Sequence, residues 1–161
     1  MIVVVSDTSP IRALHHLGLL PILGELYGRV VVPAAVQREL LSPPPQLQHI
    51  DLSGFDFIEV RAPRDPDQVQ MFLQSLHLGE SEALALALEL HAAAILIDEA
   101  AGRQVAAQNG IRALGTLGIL LEAKAQGLVT EIRPLIDTLM VDLGFFVSGA
   151  LKLRILQLAG E

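Results

Sequence analysis

The chain has 161 residues, 52% of them hydrophobic, no cysteine, and a formal net charge of −7 at pH 7. That length suits one domain with a full core, and the missing cysteines exclude disulfides and thiolate metal sites. A protein that grips nucleic acid through phosphate contacts alone should be basic, so either nucleic acid is the wrong partner or the acids are concentrated where a metal offsets them.

Ile2 to Ser6 reads as a short, continuous, β-branched buried strand. Ser9-Pro10 opens a helix whose apolar side carries Leu14, Leu17 and Leu20, with Gly18 separating it from a second helix. Val30 to Val32 predicts a second strand, and Pro33 starts a helix with Val36, Leu40 and Leu41 on one side. The run SPPPQ ends that helix, and residues 42–54 are the least regular stretch. Phe57 to Val60 predicts a third strand, and a helix runs from Asp65-Pro66 to about Leu76. HLGES is a turn and helix start, and Glu82 to Leu90 is strongly helical. Ala94 to Ile97 predicts a strand, Glu99 to Gln108 a helix closed by Asn109-Gly110, and Arg112 to Leu114 a last short strand. Two or three helices, broken at Gly127, Pro134 and Gly144, finish the chain. Strands alternating with helices predict an α/β fold with a mainly parallel central sheet. One domain over 1–161 is expected, an α/β core at about 1–114 and a helical part at 115–161.

The longest apolar run, residues 83–97, is interrupted by Glu89 and His91, so nothing reaches the roughly 20 residues of a membrane span. The N-terminus lacks the basic start of a signal peptide, and the cytoplasm is the expected compartment. The apolar excess predicts a doubly covered sheet, an oligomer interface, or both. Few charges among residues 10–24 and 68–78 point to a homodimer built from helices near those segments.

The acids carry the functional signal. Asp7 and Asp98 each follow a predicted strand, and ligands of open parallel sheets bind beyond the carboxyl ends of strands. Glu39 lies in the helix after the second strand, and Glu80 and Glu82 begin the GESEALALALEL helix. Taken singly, each has an ordinary explanation: a helix cap for Asp7, the helix dipole for Asp98, Glu99, Glu80 and Glu82, a solvated face for Glu39. Together they form a carboxylate cluster whose mutual repulsion makes sense when a hard divalent cation joins it. Mg²⁺ and Mn²⁺ prefer oxygen ligands and leave positions for water and substrate phosphate. Other chemistries lack their residues. The histidines at 15, 16, 49, 77 and 91 do not have zinc spacing, no phosphate-binding loop or nucleophile elbow is present, and GTLG at 115–118 is too short for a dinucleotide fingerprint.

The ordered series VVSDTSPI, VVPAAVQREL, LGESEALALALEL, ILIDEAAGRQVAAQNGI and GTLGILLEAKAQGL resembles PIN-domain proteins, in particular the DUF3368 group related to VapC-type toxins. The resemblance spans the chain to about residue 150. It implies a metal-dependent ribonuclease acting on single-stranded RNA, often the toxin partnered by an antitoxin protein. By that resemblance Asp7, Glu39 and Asp98 are motif acids and metal ligands. The third acid is Glu80 by its spacing from Asp98, or Glu82 by its local pattern. Ser9 is the hydroxyl that orients a ligand, with Thr8 and Glu99 as site support. Arg103 matches a subgroup arginine, for a phosphate contact or a salt bridge. One departure stands out: where many PIN domains place Thr two residues before the fourth acid, this chain has Leu96. The expected protein is a Mg²⁺- or Mn²⁺-dependent ribonuclease; the rival is a PIN-fold module that only binds a protein partner.

Overall fold

The computed structural model describes residues 2–161. Its strands are β1 (Val3–Ser6), β2 (Arg29–Pro33), β3 (Ile58–Arg61), β4 (Ala94–Leu96) and β5 (Ala113–Leu114). They form one sheet in the order β3-β2-β1-β4-β5, and every neighbouring pair is parallel. The helices are α1 (Thr8–His16), α2 (Ile22–Tyr27), α3 (Ala34–Leu41), α4 (Pro66–Leu73), α5 (Leu78–Glu89), α6 (Ala100–Gln108), α7 (Thr116–Ala125), α8 (Arg133–Leu143) and α9 (Gly149–Ala159). The chain lays β2 and β3 to one side of β1, then crosses to place β4 on the other. The carboxyl ends of β1 and β4 therefore meet where the strand order reverses, the usual ligand crevice of such sheets.

The sheet is covered on both faces, which explains why its strands read as continuous apolar runs. Val4, Val30, Val32, Ala94 and Leu96 point into one core with Leu14 of α1, Leu23 of α2, Val36 of α3 and Ile119 of α7. Val5, Val31, Ile95 and Ile97 point the other way, against Leu84 and Leu86 of α5 and Ala106 of α6. The period-two alternation of strand side chains assigns each residue to its layer.

Most boundaries fall within one or two residues of their sequence-based places, with two differences. The helix expected to reach Leu76 ends at Leu73, and Leu76 folds back as a buried residue before α5. Pro134 starts a helix rather than breaking one, standing in the first turn of α8 where its missing N–H costs nothing. Gly18 and Gly144 do separate helices, with φ of 70° and 68° that glycine adopts without strain. The apolar residues of 10–24 are largely used inside the monomer, since Ile11, Leu14, Leu20 and Leu23 are all in the core. This segment therefore offers no large apolar face for a dimer, whereas Met71 and Leu78 of the second segment are exposed.

The helical tail is locked by Glu161. Its Oε2 accepts from Lys124 Nζ at 2.9 Å and from the Ile132 amide at 2.8 Å, and its Oε1 accepts from the Arg133 amide at 3.1 Å. These bonds place a negative charge at the N-terminus of α8, and they hold the carboxyl down at about 2. A carboxyl so depressed contributes stability above its unfolded value of 4.5, and that stability is lost as pH falls toward 2. Glu161→Gln is expected to lower the melting temperature at pH 7 and to bring no further loss at pH 2. Equal destabilisation at both pH values would exclude the charge as the cause.

Candidate active site

Asp7 follows β1 directly, and its amide donates to Leu96 O at 2.9 Å, which ties it to the end of β4. It occupies the N-cap position of α1, yet its side chain makes no capping bond. The capping explanation thus leaves a carboxylate only 5% exposed without a structural duty. Burial raises its pKa from 3.8 to about 7; the nearby Thr8 amide pulls the other way, and the charges of Glu80, Glu39 and Asp98 add to the rise. Glu80 is also raised, chiefly by burial.

Acids from two further helices converge on Asp7. Glu39 comes from α3 and accepts from Thr8 Oγ1 at 2.7 Å. Glu80 comes from the first turn of α5, with a long 3.4 Å bond from the His77 amide. Two glycines make room for the acids. A Cβ on Gly79 would stand 2.8 Å from Glu39 Oε1 and 3.4 Å from Asp7 Oδ1, so Glu39 and Asp7 address one point. A Cβ on Gly102 would stand 2.9 Å from Glu80 Oε2. Asp7, Thr8, Ser9, Glu39, Glu80 and Glu99 line a cleft of about 420 Å³, together with Arg12, Leu47, His77, Leu143 and Phe145.

Glu82 lies elsewhere. Two residues along a helix is about 200° of rotation, so Glu80 and Glu82 face different directions. Glu82 Oε1 accepts from the Ala35 amide at 3.0 Å, at the N-terminus of α3, and Oε2 lies 4.0 Å from Arg38. It does not line the cleft. This reading of the third acid was open in the sequence because "EA" spacing does not fix which side of the helix meets the sheet.

Asp98 lines an adjoining groove that shares Ser9, Glu99 and Phe145 with the cleft. It is held by three bonds: Ser9 Oγ at 2.8 Å and Thr116 Oγ1 at 2.7 Å to Oδ2, and the Thr116 amide at 2.7 Å to Oδ1. Asp98 therefore serves the N-terminus of α7 rather than that of its neighbouring helix α6. Leu96 points into the apolar core, and hydroxyls reach Asp98 from Ser9 and from the fully buried Thr116 instead. Thr116 has no role in the sequence reading, where GTLG is too short for a nucleotide fingerprint and serves only in the family series; its position after a strand and at a helix start is the available signal. Arg12 and His77 were also missed. Thr116→Val, which keeps shape but removes the hydroxyl, is expected to cost about 2 kcal/mol as a bond to a charged group is lost. Thr116→Ser should restore most of it in chemical denaturation.

The arrangement defines a class: an α/β domain with an acidic cleft at the switch point of a parallel sheet. The chain belongs to the DUF3368 family of PIN domains, whose model matches residues 3–161. PIN domains are generally nucleases and typically use divalent metal ions, and this fold is nuclease-like. No curated protein matches the chain.

Among the described residues, no three Asp, Glu or His side chains stand close enough to form a ready-made ligand set. The chemistry of the cleft acids nonetheless fits such an ion: all are hard carboxylate oxygens. Asp7 and Glu80 carry raised pKa values from burial and like charge, a cost that a cation would offset.

Proposed function

We propose that this PIN domain is a Mg²⁺- or Mn²⁺-dependent endoribonuclease that hydrolyses phosphodiester bonds in single-stranded RNA. The observation that carries the reading is the convergence of Asp7, Glu39 and Glu80 on one cleft at the sheet's switch point, with Asp98 beside it. Among the described residues, Arg12 is the one Lys or Arg lining that cleft, so an RNA phosphate entering it meets a strongly negative field unless a cation is bound.

Asp7, Glu39, Glu80 and Asp98 would hold the ion. Bound there, it would activate water for attack and stabilise the leaving oxygen. The chain's own residues prepare the site. Thr8 fixes Glu39 and Ser9 fixes Asp98 by their hydroxyls. Asp7, titrating near 7, gives up its proton in the physiological range. Glu99 stands at the rim, at the junction of cleft and groove.

The biological setting proposed is the cytoplasm, with the chain as the toxin of a toxin–antitoxin pair. A homodimer through the face bearing Met71 and Leu78 is proposed on their exposure; sedimentation showing only monomer at micromolar concentration would remove it. The function itself is tested by incubating the purified protein with single-stranded and double-stranded RNA in Mn²⁺ and in EDTA. Cleavage of the single strand in Mn²⁺ alone is expected, and its loss in Glu80→Gln. Cleavage that persists in EDTA would refute the mechanism.

A further inference from the structure

We propose that the groove beside the acidic cleft is a subsite for one unpaired base of the strand, with Phe146 as the stacking surface and Arg103 as the contact to the adjoining phosphate. The proposal rests on the nuclease reading above and adds to it a means of holding a strand that an acidic protein otherwise repels.

The groove measures about 740 Å³ and lies between the starts of α6 and α7 and the segment leading into α9. It is continuous with the cleft through Ser9, Glu99 and Phe145, which line both. A strand with one phosphate at the acids thus has its neighbouring nucleotide at the groove. Phe146 lines it and is 92% exposed, the most exposed large apolar side chain among the described residues. An aromatic face turned to water beside a site is suited to base stacking, which tolerates any sequence because every base has a π-face.

Arg103 supplies charge complementarity. It is exposed, lines the groove, and makes no ion pair among the described residues. A Cβ on Gly115 would stand 2.9 Å from Arg103 Nη1 and 3.1 Å from Asp98 Oδ1, so glycine at 115 keeps space for both groups. Arg103 makes no hydrogen bond or ion pair to Asp98, whose bonds come from Ser9 and Thr116, and the guanidinium remains available to a phosphate. Apart from Ser9, Asp98, Glu99 and Arg103 the groove wall is mainly apolar, with Leu114, Leu117, Val147 and the exposed Leu151 beside the two phenylalanines, a surface suited to the face of a base.

The test measures binding of a labelled single-stranded oligonucleotide by fluorescence anisotropy, in EDTA and again in Ca²⁺, with an abasic strand of equal length as the second probe. Wild type is expected to bind the base-bearing strand more tightly than the abasic one. Phe146→Ala should weaken the former by roughly tenfold, the scale of one lost stacking contact, and erase the preference, while Phe146→Trp keeps it. Arg103→Ala should weaken both strands alike and reduce the salt dependence by about one phosphate. Leu158→Ala, on surface outside the groove, should bind as wild type does. If wild type binds and cleaves RNA but Phe146→Ala and Arg103→Ala behave identically to it, the subsite is refuted and the nuclease reading stands. If Phe146→Ala instead only dissociates a dimer or a protein complex, the groove is a protein interface and the subsite is refuted. If wild type neither binds nor cleaves any single strand, both readings fall together.

Discussion

Asp7→Asn is expected to abolish Mn²⁺-dependent cleavage and, in the metal-free protein, to raise stability at neutral and alkaline pH. The first effect follows from removing a ligand charge at the centre of the cleft while changing almost no volume. The second follows from the sign of the pKa shift. The Asp7 carboxyl titrates at 3.8 when unfolded and at about 7 when folded, mainly because it is buried. Below 3.8 it is protonated in both states and has no effect. Between 3.8 and 7 the native state keeps a proton that the unfolded chain has lost, so stability falls as pH rises through this window. Above 7 the loss is complete, with an upper limit on the order of 4 kcal/mol for a shift of this size. Asparagine does not titrate, so the variant should lack this slope and exceed wild type most clearly at pH 8. Urea denaturation of both proteins at pH 4, 6 and 8 in EDTA reads it directly. Parallel curves would mean that Asp7 carries no burial cost.

A divalent ion should stabilise the folded chain substantially. An ion that binds only the native state adds about 2.7 kcal/mol at a hundredfold excess over Kd, or roughly 5–10 °C in Tm for a domain of this size. Because Asp7 must release its proton to serve as a ligand, the Mn²⁺-induced shift should be larger at pH 8 than at pH 6. The acids on α5 sharpen the test. Glu80, lining the cleft, should be needed for the shift, so Glu80→Gln loses most of it. Glu82, engaged with the Ala35 amide and Arg38, should not be, so Glu82→Gln melts lower but retains the metal-induced gain. Equal shifts in wild type and Glu80→Gln would mean that the ion binds outside the cleft.

Much of this protein was determined by local sequence. The strands were visible because a sheet buried on both faces needs uninterrupted apolar residues, as in VVV at 3–5 and 30–32. The helix ends at Gly18, Asn109-Gly110 and Gly144 were visible because left-handed backbone is a property of the residue itself. The family series placed Asp7, Glu39 and Asp98 in order, and the parallel topology implied that acids after β1 and β4 would be neighbours. What sequence did not decide was direction. Whether Glu80 or Glu82 enters the cleft depends on how α5 is rotated against the sheet, and that is set by packing Leu84 and Leu86 on Val5 and Val31. Likewise Leu96 suggested a missing hydroxyl, and only the meeting of β4 with the start of α7 brings Thr116, 18 residues from Asp98, to 2.7 Å of its carboxylate. The apolar segment 10–24 carried no mark of whether it would face a partner or its own core; the close packing of α1 and α2 on the sheet buried it. Local patterns fix which residues are helical, extended or turning, because those preferences are short-range; which side chains meet across 18 or more residues is settled only when the two layers close over the sheet.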